Sequence, residues 1–376
     1  MLQPILKAVY AQIPESAKPQ ARKMYGRVEM RSRALASRVS VYQGMRVEFL
    51  DLEIAHLESY EFLGPGTGEV LVDTRCTVVS PGTETAVLCG LPGVPRGMFP
   101  FPPGYSAVGI VRRAGAGVPG IKVGQRVAGR LSHASCGVMS TVSLFAVPDE
   151  VTDEQASFIE LGIITLQGIR RARIAPGDRV AVVGQGMLGQ LSNRLARACG
   201  AAWITGVASS RNRAGRALDN GHVDAFVALK EKPTLSDIGA DVVIEAVGTP
   251  GAVLTAMECA RDGGTVVLLG SARGLGRNIN VYAAAQERGL TLVGAHISVL
   301  PDRDISPTRY TYQEEGRLFL ELLRTRRLEV TDLITWRAKP SECNAVYEVL
   351  ARGGDHHVGI LFDWRTPETP APHARG

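Results

Sequence analysis

Hydrophobic and polar positions follow two rhythms along this chain, and the change of rhythm divides it. Before about residue 150 the apolar runs are short and closely spaced. Arg33–Tyr42 and Met45–Glu53 have strand character. Gly64-Pro65-Gly66-Thr67-Gly68 is a turn, and Glu69–Cys76 returns as a strand in which Val70, Val72 and Thr74 alternate with Leu71 and Asp73. Ser80–Glu84 reads as a turn, Leu91–Pro103 as a Pro/Gly-rich loop, Gly104–Val111 as entry to a strand, and Gly115–Gly124 as a turn leading to another. Short strands with frequent turns predict a small β-barrel-like domain over about residues 34–150. Thr152–Ile174 then carries a helical pattern, and β and α segments alternate. The predicted strands are Val180–Val183, Trp203–Val207, Val242–Ala246, Val266–Leu269 and Leu290–His296. Such alternation predicts a parallel sheet covered by helices on both faces. A helix over Tyr312–Arg324 and a last strand over Val358–Trp364 follow.

The stretch Val180–Gly189 organises the second half. Its apolar, β-branched start follows the turn residues Pro176-Gly177-Asp178, which predicts a buried strand. Gly184-x-Gly186-x-x-Gly189 comes next, and Leu191, Leu195 and Ala198 then fall at helical spacing before Gly200. Strand, glycine turn and helix are the context in which this motif binds a dinucleotide. The first glycine allows the turn, the second lets backbone approach a pyrophosphate, and the third lets helix pack on strand. Gly184, Gly186, Met187, Leu188 and Gly189 are therefore candidate cofactor contacts, joined by Val247, Gly248 and Gly270 after the later strands. A dinucleotide site specific for NAD ends its second strand with a carboxylate for the ribose hydroxyls. Here Ala208 stands there, followed by Ser209, Ser210 and Arg211, which offer hydroxyls and a guanidinium to a 2′-phosphate. NADP(H) is the expected cofactor.

Composition narrows the class. Hydrophobic residues make up 45% and charged residues 21% of 376, which excludes a disordered or fibrous chain and leaves room for two domains. The net charge of +5 is matched by Lys7, Lys18, Arg22, Lys23, Arg27, Arg31 and Arg33 set against Glu15 and Glu29, so residues 1–33 read as a basic extension, solvated and partly disordered first and a binding arm second. No basic face interleaved with aromatics points to nucleic acid, and no apolar run is long enough to span a membrane. Six scattered cysteines without a CxxC pair, and no secretory signal, read as reduced thiols in a cytoplasmic protein.

The order of motifs resembles the medium-chain dehydrogenase/reductase superfamily. The matching stretches are Gly104–Val111, Val123-Gly124-Gln125-Arg126-Val127, Ala175–Val180 and the glycine motif. Ser80–Glu84 with Pro103-Gly104-Tyr105 is most similar to the branch containing bacteriochlorophyllide dehydrogenase. The resemblance implies an α/β protein with a GroES-like β-barrel domain (34–165 and 305–364) into which a Rossmann doubly wound parallel-sheet domain (166–304) is inserted. By the same resemblance a homodimer joined near the Val266–Leu269 and Leu290–His296 edge is expected, while residues 365–376, rich in Pro and Thr, read as a disordered tail. Zinc-using relatives have a cysteine at the position of Pro81 and a His-Glu pair at Tyr105-Ser106. Between Gly129 and Pro148 only Cys136 could serve a structural zinc. No metal is therefore expected.

Without that Lewis acid, side chains must handle the charge. Tyr105 is either a proton donor facing the nicotinamide end of the cleft or a core tyrosine. Glu160 is either an acid/base or a solvated helix-end carboxylate. Glu84 and Ser106 are weaker candidates. His133 reads as a relay or, more simply, a structural histidine, and His356-His357 as solvent-facing. Met98, Phe99 and Phe101 either line an apolar substrate pocket or pack beneath a loop. The expected activity is hydride transfer between the nicotinamide and a small or medium organic substrate. Alcohol/ketone interconversion comes first, reduction of an activated C=C or C=N bond second. A non-catalytic nucleotide-binding protein is the reading from another class.

Overall fold

The computed structural model describes Met30 and residues 40–94, 98–209, 217–271, 273–276, 279–301, 310–354 and 356–366. The basic segment (Met30 apart), Ser210, Arg211, most of the loop after Val299 and the tail beyond residue 366 lie outside the described residues.

The first half builds two sheets. β1 (Val41–Asp51) and β2 (Ile54–Leu63) form an antiparallel hairpin. β2 was not anticipated, and the reason is its turn: Glu53 takes the left-handed conformation at φ 58° with no Gly or Asn to announce it. Its N–H donates to Leu88 O at 3.0 Å, a tertiary contact that local sequence does not encode. The second sheet contains β3 (Glu69–Val78), β4 (Ala107–Ala114), β5 (Arg126–Gly129), β6 (Cys136–Ser140) and β7 (Leu144–Ala146). The late strands β14 (Ile334–Ala338) and β15 (Gly359–Asp363) complete it in the order β14-β15-β3-β4-β5-β7, with β6 on β3. The C-terminal strand thus returns to the first sheet. Ser80–Glu84 is no free turn. It opens helix α1 (Pro81–Leu88), whose proline takes the first position, where a missing N–H costs nothing.

The second half is a six-stranded parallel sheet. Its strands are β8 (Arg179–Val183), β9 (Trp203–Ala208), β10 (Ala225–Ala228), β11 (Ala240–Glu245), β12 (Ala260–Leu268) and β13 (Thr291–Gly294). Their order is β10-β9-β8-β11-β12-β13, so the winding reverses at β8, the position where an α/β sheet opens a crevice. The continuous apolar run of β8 follows from burial on two faces. Val180 and Val182 pack with Leu191 and Leu195 of α3 (Met187–Ala198). Ala181 and Val183 pack with Val253 and Ala256 of α4 (Pro250–Cys259). Each fully buried Val or Leu is worth about 1.5–3 kcal/mol.

Helix α2 (Ile159–Ala172) joins the two halves and runs across residue 165. It packs on α5 (Tyr312–Arg324) and shares one core with Cys76 and Val78 of β3 and with Val180 and Val182 of β8. A last helix, α6 (Cys343–Ala351), covers α1 and β2. All six cysteines are free, and among the described residues no helix is long and apolar enough to cross a membrane.

Candidate active site

A cleft of about 570 Å³ lies between the carboxyl end of the parallel sheet and the start of α1. Gly184, Gly186, Met187, Leu188, Ala208, Ser209, Val247 and Gly270 line it from one side, and Ser80, Pro81, Gly82 and Thr83 from the other. Gly184 holds φ 95° in the turn out of β8, a conformation that L side chains rarely adopt. Gly189 does not line the cleft. Its role is close packing: a Cβ there would stand 1.8 Å from Gly184 O. Gly248 does not line the cleft either; it backs onto Ser271, 2.5 Å from where its Cβ would be.

Gln185, between the first two glycines, is buried and pins the loop. Its Nε2 donates to Val182 O at 2.9 Å, and its Oε1 accepts from Asn193 Nδ2 at 2.8 Å. Gln190 Nε2 donates to Gln185 O at 3.2 Å. Beneath the next loop Glu245 is fully buried, its Oε1 accepting from the N–H groups of Val247 and Gly248, both at 2.7 Å. Burial raises its pKa, and the two N–H donors oppose the rise. Neither Gln185 nor Glu245 stood out in the sequence, since a polar residue in a glycine turn or at a strand end gives no local sign of burial.

The candidate catalytic residues fall into three groups. Tyr105 donates from its hydroxyl to Ser80 Oγ at 2.7 Å, and Ser80 lines the cleft. Burial pushes the Tyr105 phenol up to about 12, against the opposing hydrogen bond to Ser80, so it is neutral at pH 7 and can donate a proton. Tyr105 is therefore one hydroxyl back from the cleft wall.

Ser106 is a structural group. Its Oγ accepts from Glu160 N–H at 3.1 Å and donates to Ser157 O at 2.6 Å, so β4 caps the first turn of α2 from outside that helix. Glu160 is buried rather than solvated at a helix end. Arg130 Nε donates to its Oε2 at 3.0 Å, the Tyr312 hydroxyl donates to its Oε1, and Arg130 stacks 4.5 Å over the Tyr312 ring. Burial raises its pKa, opposed first by the Arg130 charge.

Glu84 and His133 are withdrawn from the cleft into a buried network. Glu84 Oε1 accepts from Ser80 N–H at 2.7 Å, and Oε2 accepts from the Tyr347 hydroxyl at 2.5 Å and from His133 Nε2 at 3.1 Å. A carboxylate only accepts, so Nε2 carries a proton toward Glu84, and Nδ1 lies 2.7 Å from Thr77 Oγ1. Trp364 Nε1 donates to that Thr77 oxygen at 3.1 Å. The network ties α1, β3, α6 and the chain after β15 together and positions Ser80 through its backbone.

Met98, Phe99 and Phe101 do not line the cleft. Phe99 and Phe101 pack beneath the loop, Phe101 bridging to Phe49. His356 is exposed, but His357 is half-buried, its ring 5.0 Å from Trp336. Among the described residues no three His, Cys, Asp or Glu side chains are grouped to hold a metal. Ser210 and Arg211 lie outside the described residues.

Two family models match the chain: an alcohol dehydrogenase GroES-like domain over residues 66–145 and a zinc-binding dehydrogenase over residues 188–307. An L-idonate 5-dehydrogenase of Vitis vinifera is 28% identical over 231 residues, 58% of each chain. A sorbitol dehydrogenase of Mus musculus is 25% identical over 227 residues, 58% of this chain and 59% of that one. This chain thus spans somewhat under two thirds of these curated relatives. A Sinorhizobium meliloti chain described as a zinc-binding dehydrogenase and bound to NADP superposes with a TM-score of 0.71 at 22% identity, covering 86% of this chain and 99% of the other. The 2R,3R-butanediol dehydrogenase of Bacillus subtilis superposes with a TM-score of 0.71 at 20% identity, covering 88% and 100%. Both establish the shared fold.

Proposed function

We propose, for a chain that belongs to the medium-chain dehydrogenase/reductase superfamily, a zinc-independent, NADP(H)-dependent oxidoreductase that interconverts an alcohol and a carbonyl compound. The observation that carries this reading is the cleft, in which the glycine loop at the switch point faces Ser80, with Tyr105 hydrogen-bonded behind it. The residues present fit a dinucleotide: Gly184 and Gly189 bring backbone, unobstructed by side chains, to the N-terminus of α3. When bound, the cofactor supplies or accepts the hydride.

The donor set does not fit zinc, which wants three protein ligands and a water in a catalytic site. Pro81 has no donor atom, Ser106 Oγ is used in capping α2, and both Glu160 oxygens are engaged. The proton therefore moves through hydroxyls. Ser80 Oγ–H donates to the substrate oxygen as negative charge develops there, Tyr105 Oη–H refills Ser80, and cleft water returns a proton to Tyr105 through Ser80, so no buried phenolate is left. Glu84 holds the Ser80 backbone so that the hydroxyl stays aimed.

NADPH-dependent reduction of a panel of ketones, followed by nicotinamide absorbance, is the direct test. Tyr105→Phe should lower kcat at least about tenfold, about 1.4 kcal/mol, and leave NADPH affinity unchanged. Tight NADPH binding without turnover on any carbonyl, enone or imine would instead identify a nucleotide-binding accessory protein. Stoichiometric zinc in the purified protein, lost with activity on chelation, would refute the metal-free reading. For cofactor choice, NADPH should bind at least about tenfold more tightly than NADH. Ala208→Asp should reverse that preference, and Arg211→Ala should weaken NADPH alone. Equal weakening of both cofactors would refute the assignment of the loop after β9.

A further inference from the structure

Among the described residues that line the cleft, Arg273 is the one charged side chain. It stands shortly after β12, where its backbone N–H donates to Gly248 O at 3.0 Å and fixes it against the loop after β11. The guanidinium crosses the cleft, and Nη1 donates to Gly82 O at 3.0 Å in α1. No carboxylate pairs with it among the described residues, and its other N–H groups have no protein acceptor there. Burial lowers its pKa, with only the nearby Tyr105 phenol working against that shift. Arg273 is half-buried, so water still reaches part of its guanidinium, and an anion placed on the planar fork would replace that water with strong charge-assisted hydrogen bonds.

We infer that Arg273 is the recognition point for an anionic oxygen group, a carboxylate or a phosphate monoester, carried by the substrate. This rests on the oxidoreductase reading above. The cofactor's own pyrophosphate is the other source of such a group. Its place is at Gly184–Gly189, on β8, and β12 lies two strands away, at about 4.8 Å per strand. The contact of Arg273 with Gly82 instead puts the charge beside the Ser80–Tyr105 pair, where the reacting carbon belongs. A substrate anchored there by its anion would present a carbonyl to Ser80 Oγ, and a neutral analogue would lose that anchor.

The test uses the full chain saturated with NADPH. Succinate, oxalate and inorganic phosphate are titrated by calorimetry beside the neutral succinamide, against wild type, Arg273→Met and Arg273→Lys. At least one anion should bind wild type about tenfold or more tightly than the amide. Arg273→Met should abolish that difference, Arg273→Lys should keep part of it, and both should leave NADPH affinity within about twofold. Lost NADPH affinity with unchanged anion discrimination would assign Arg273 to the pyrophosphate and overturn the inference. So would a wild type that does not discriminate, or an Arg273→Met variant that discriminates like wild type. Arg273→Lys keeps a cation and an N–H donor for Gly82, so it separates anion recognition from a folding defect that Arg273→Met alone could introduce. If NADPH itself fails to bind, the oxidoreductase reading falls, and the same titrations on the protein alone still decide the role of Arg273.

Discussion

Adding a single methyl at Gly189 tests the heart of the cofactor site. The third residue of α3, Gly189 faces the carbonyl of Gly184 across the strand–helix turn. A Cβ there would stand 1.8 Å from Gly184 O and 2.9 Å from its carbonyl carbon, where ordinary contact begins at 3.4 Å. Both obstacles are backbone, so no rotamer change relieves them. Either α3 retreats from β8 by about 1.5 Å or the turn is rebuilt, and Leu191 and Leu195 lose their packing in the core. Overpacking of this kind costs about 1–3 kcal/mol. Gly189→Ala should therefore lower the unfolding free energy by about 2 kcal/mol in urea titrations. It should also weaken NADPH and NADH by the same factor, at least about tenfold, because the displaced turn is the one proposed to hold the pyrophosphate that both share. Gly251→Ala is the control. Gly251 lies in α4 with nothing within 4 Å of its Cβ position, so alanine there should leave stability unchanged or raise it by up to about 1 kcal/mol. A Gly189→Ala variant with wild-type midpoint and affinity would show that helix and strand do not meet as described.

Other expectations follow from the same contacts. Ser106→Ala removes the 3.1 Å and 2.6 Å hydrogen bonds at the start of α2 and strands two buried backbone groups, so it should cost about 2 kcal/mol in urea titrations; a loss below about 0.5 kcal/mol would refute the capping role. Burial raises the pKa of Glu160, of Glu245 and of Glu315, which lies on α5 with its Oε1 accepting from Arg170 Nε at 3.0 Å, so the folded state binds their protons more tightly. Their stabilising contribution is complete below the ordinary carboxylate value of about 4.3 and is lost as pH rises through the raised folded values, and thermal melts should decline over that window. Glu245→Gln should flatten the decline, and an unchanged slope would exclude Glu245 as a source. β13 is an edge of the parallel sheet with Leu292 exposed, so we expect a homodimer across it by light scattering and a monomer from Leu292→Lys; a wild-type monomer at micromolar concentration would refute it.

What could be read from sequence was whatever local chemistry decides. Val180–Gly189 was legible because a strand buried on two faces must be apolar throughout and because its turn demands glycine. Helix Tyr312–Arg324 was legible to the residue: its apolar face is periodic, and Thr311 with Glu314 forms a capping box at its start. The hairpin of β1 and β2 was not, since Glu53 is held in a left-handed turn by Leu88, far along the chain. The candidate residues show the same division. The substitution of Tyr105-Ser106 for a ligand pair drew attention to both residues, but only the fold separates their fates. Ser106 spends its hydroxyl capping a helix, whereas Tyr105 donates a hydrogen bond to Ser80 at the cleft wall. Arg130 and Arg273 make the point in charge. In sequence they are two arginines near glycines. In the fold one is spent on the buried Glu160, and the other reaches across the cleft and meets no carboxylate among the described residues. The first adds a closed ion pair to the wall behind Tyr105. The second leaves a positive charge on the cleft wall that meets no carboxylate among the described residues, and an anionic ligand can pair with it.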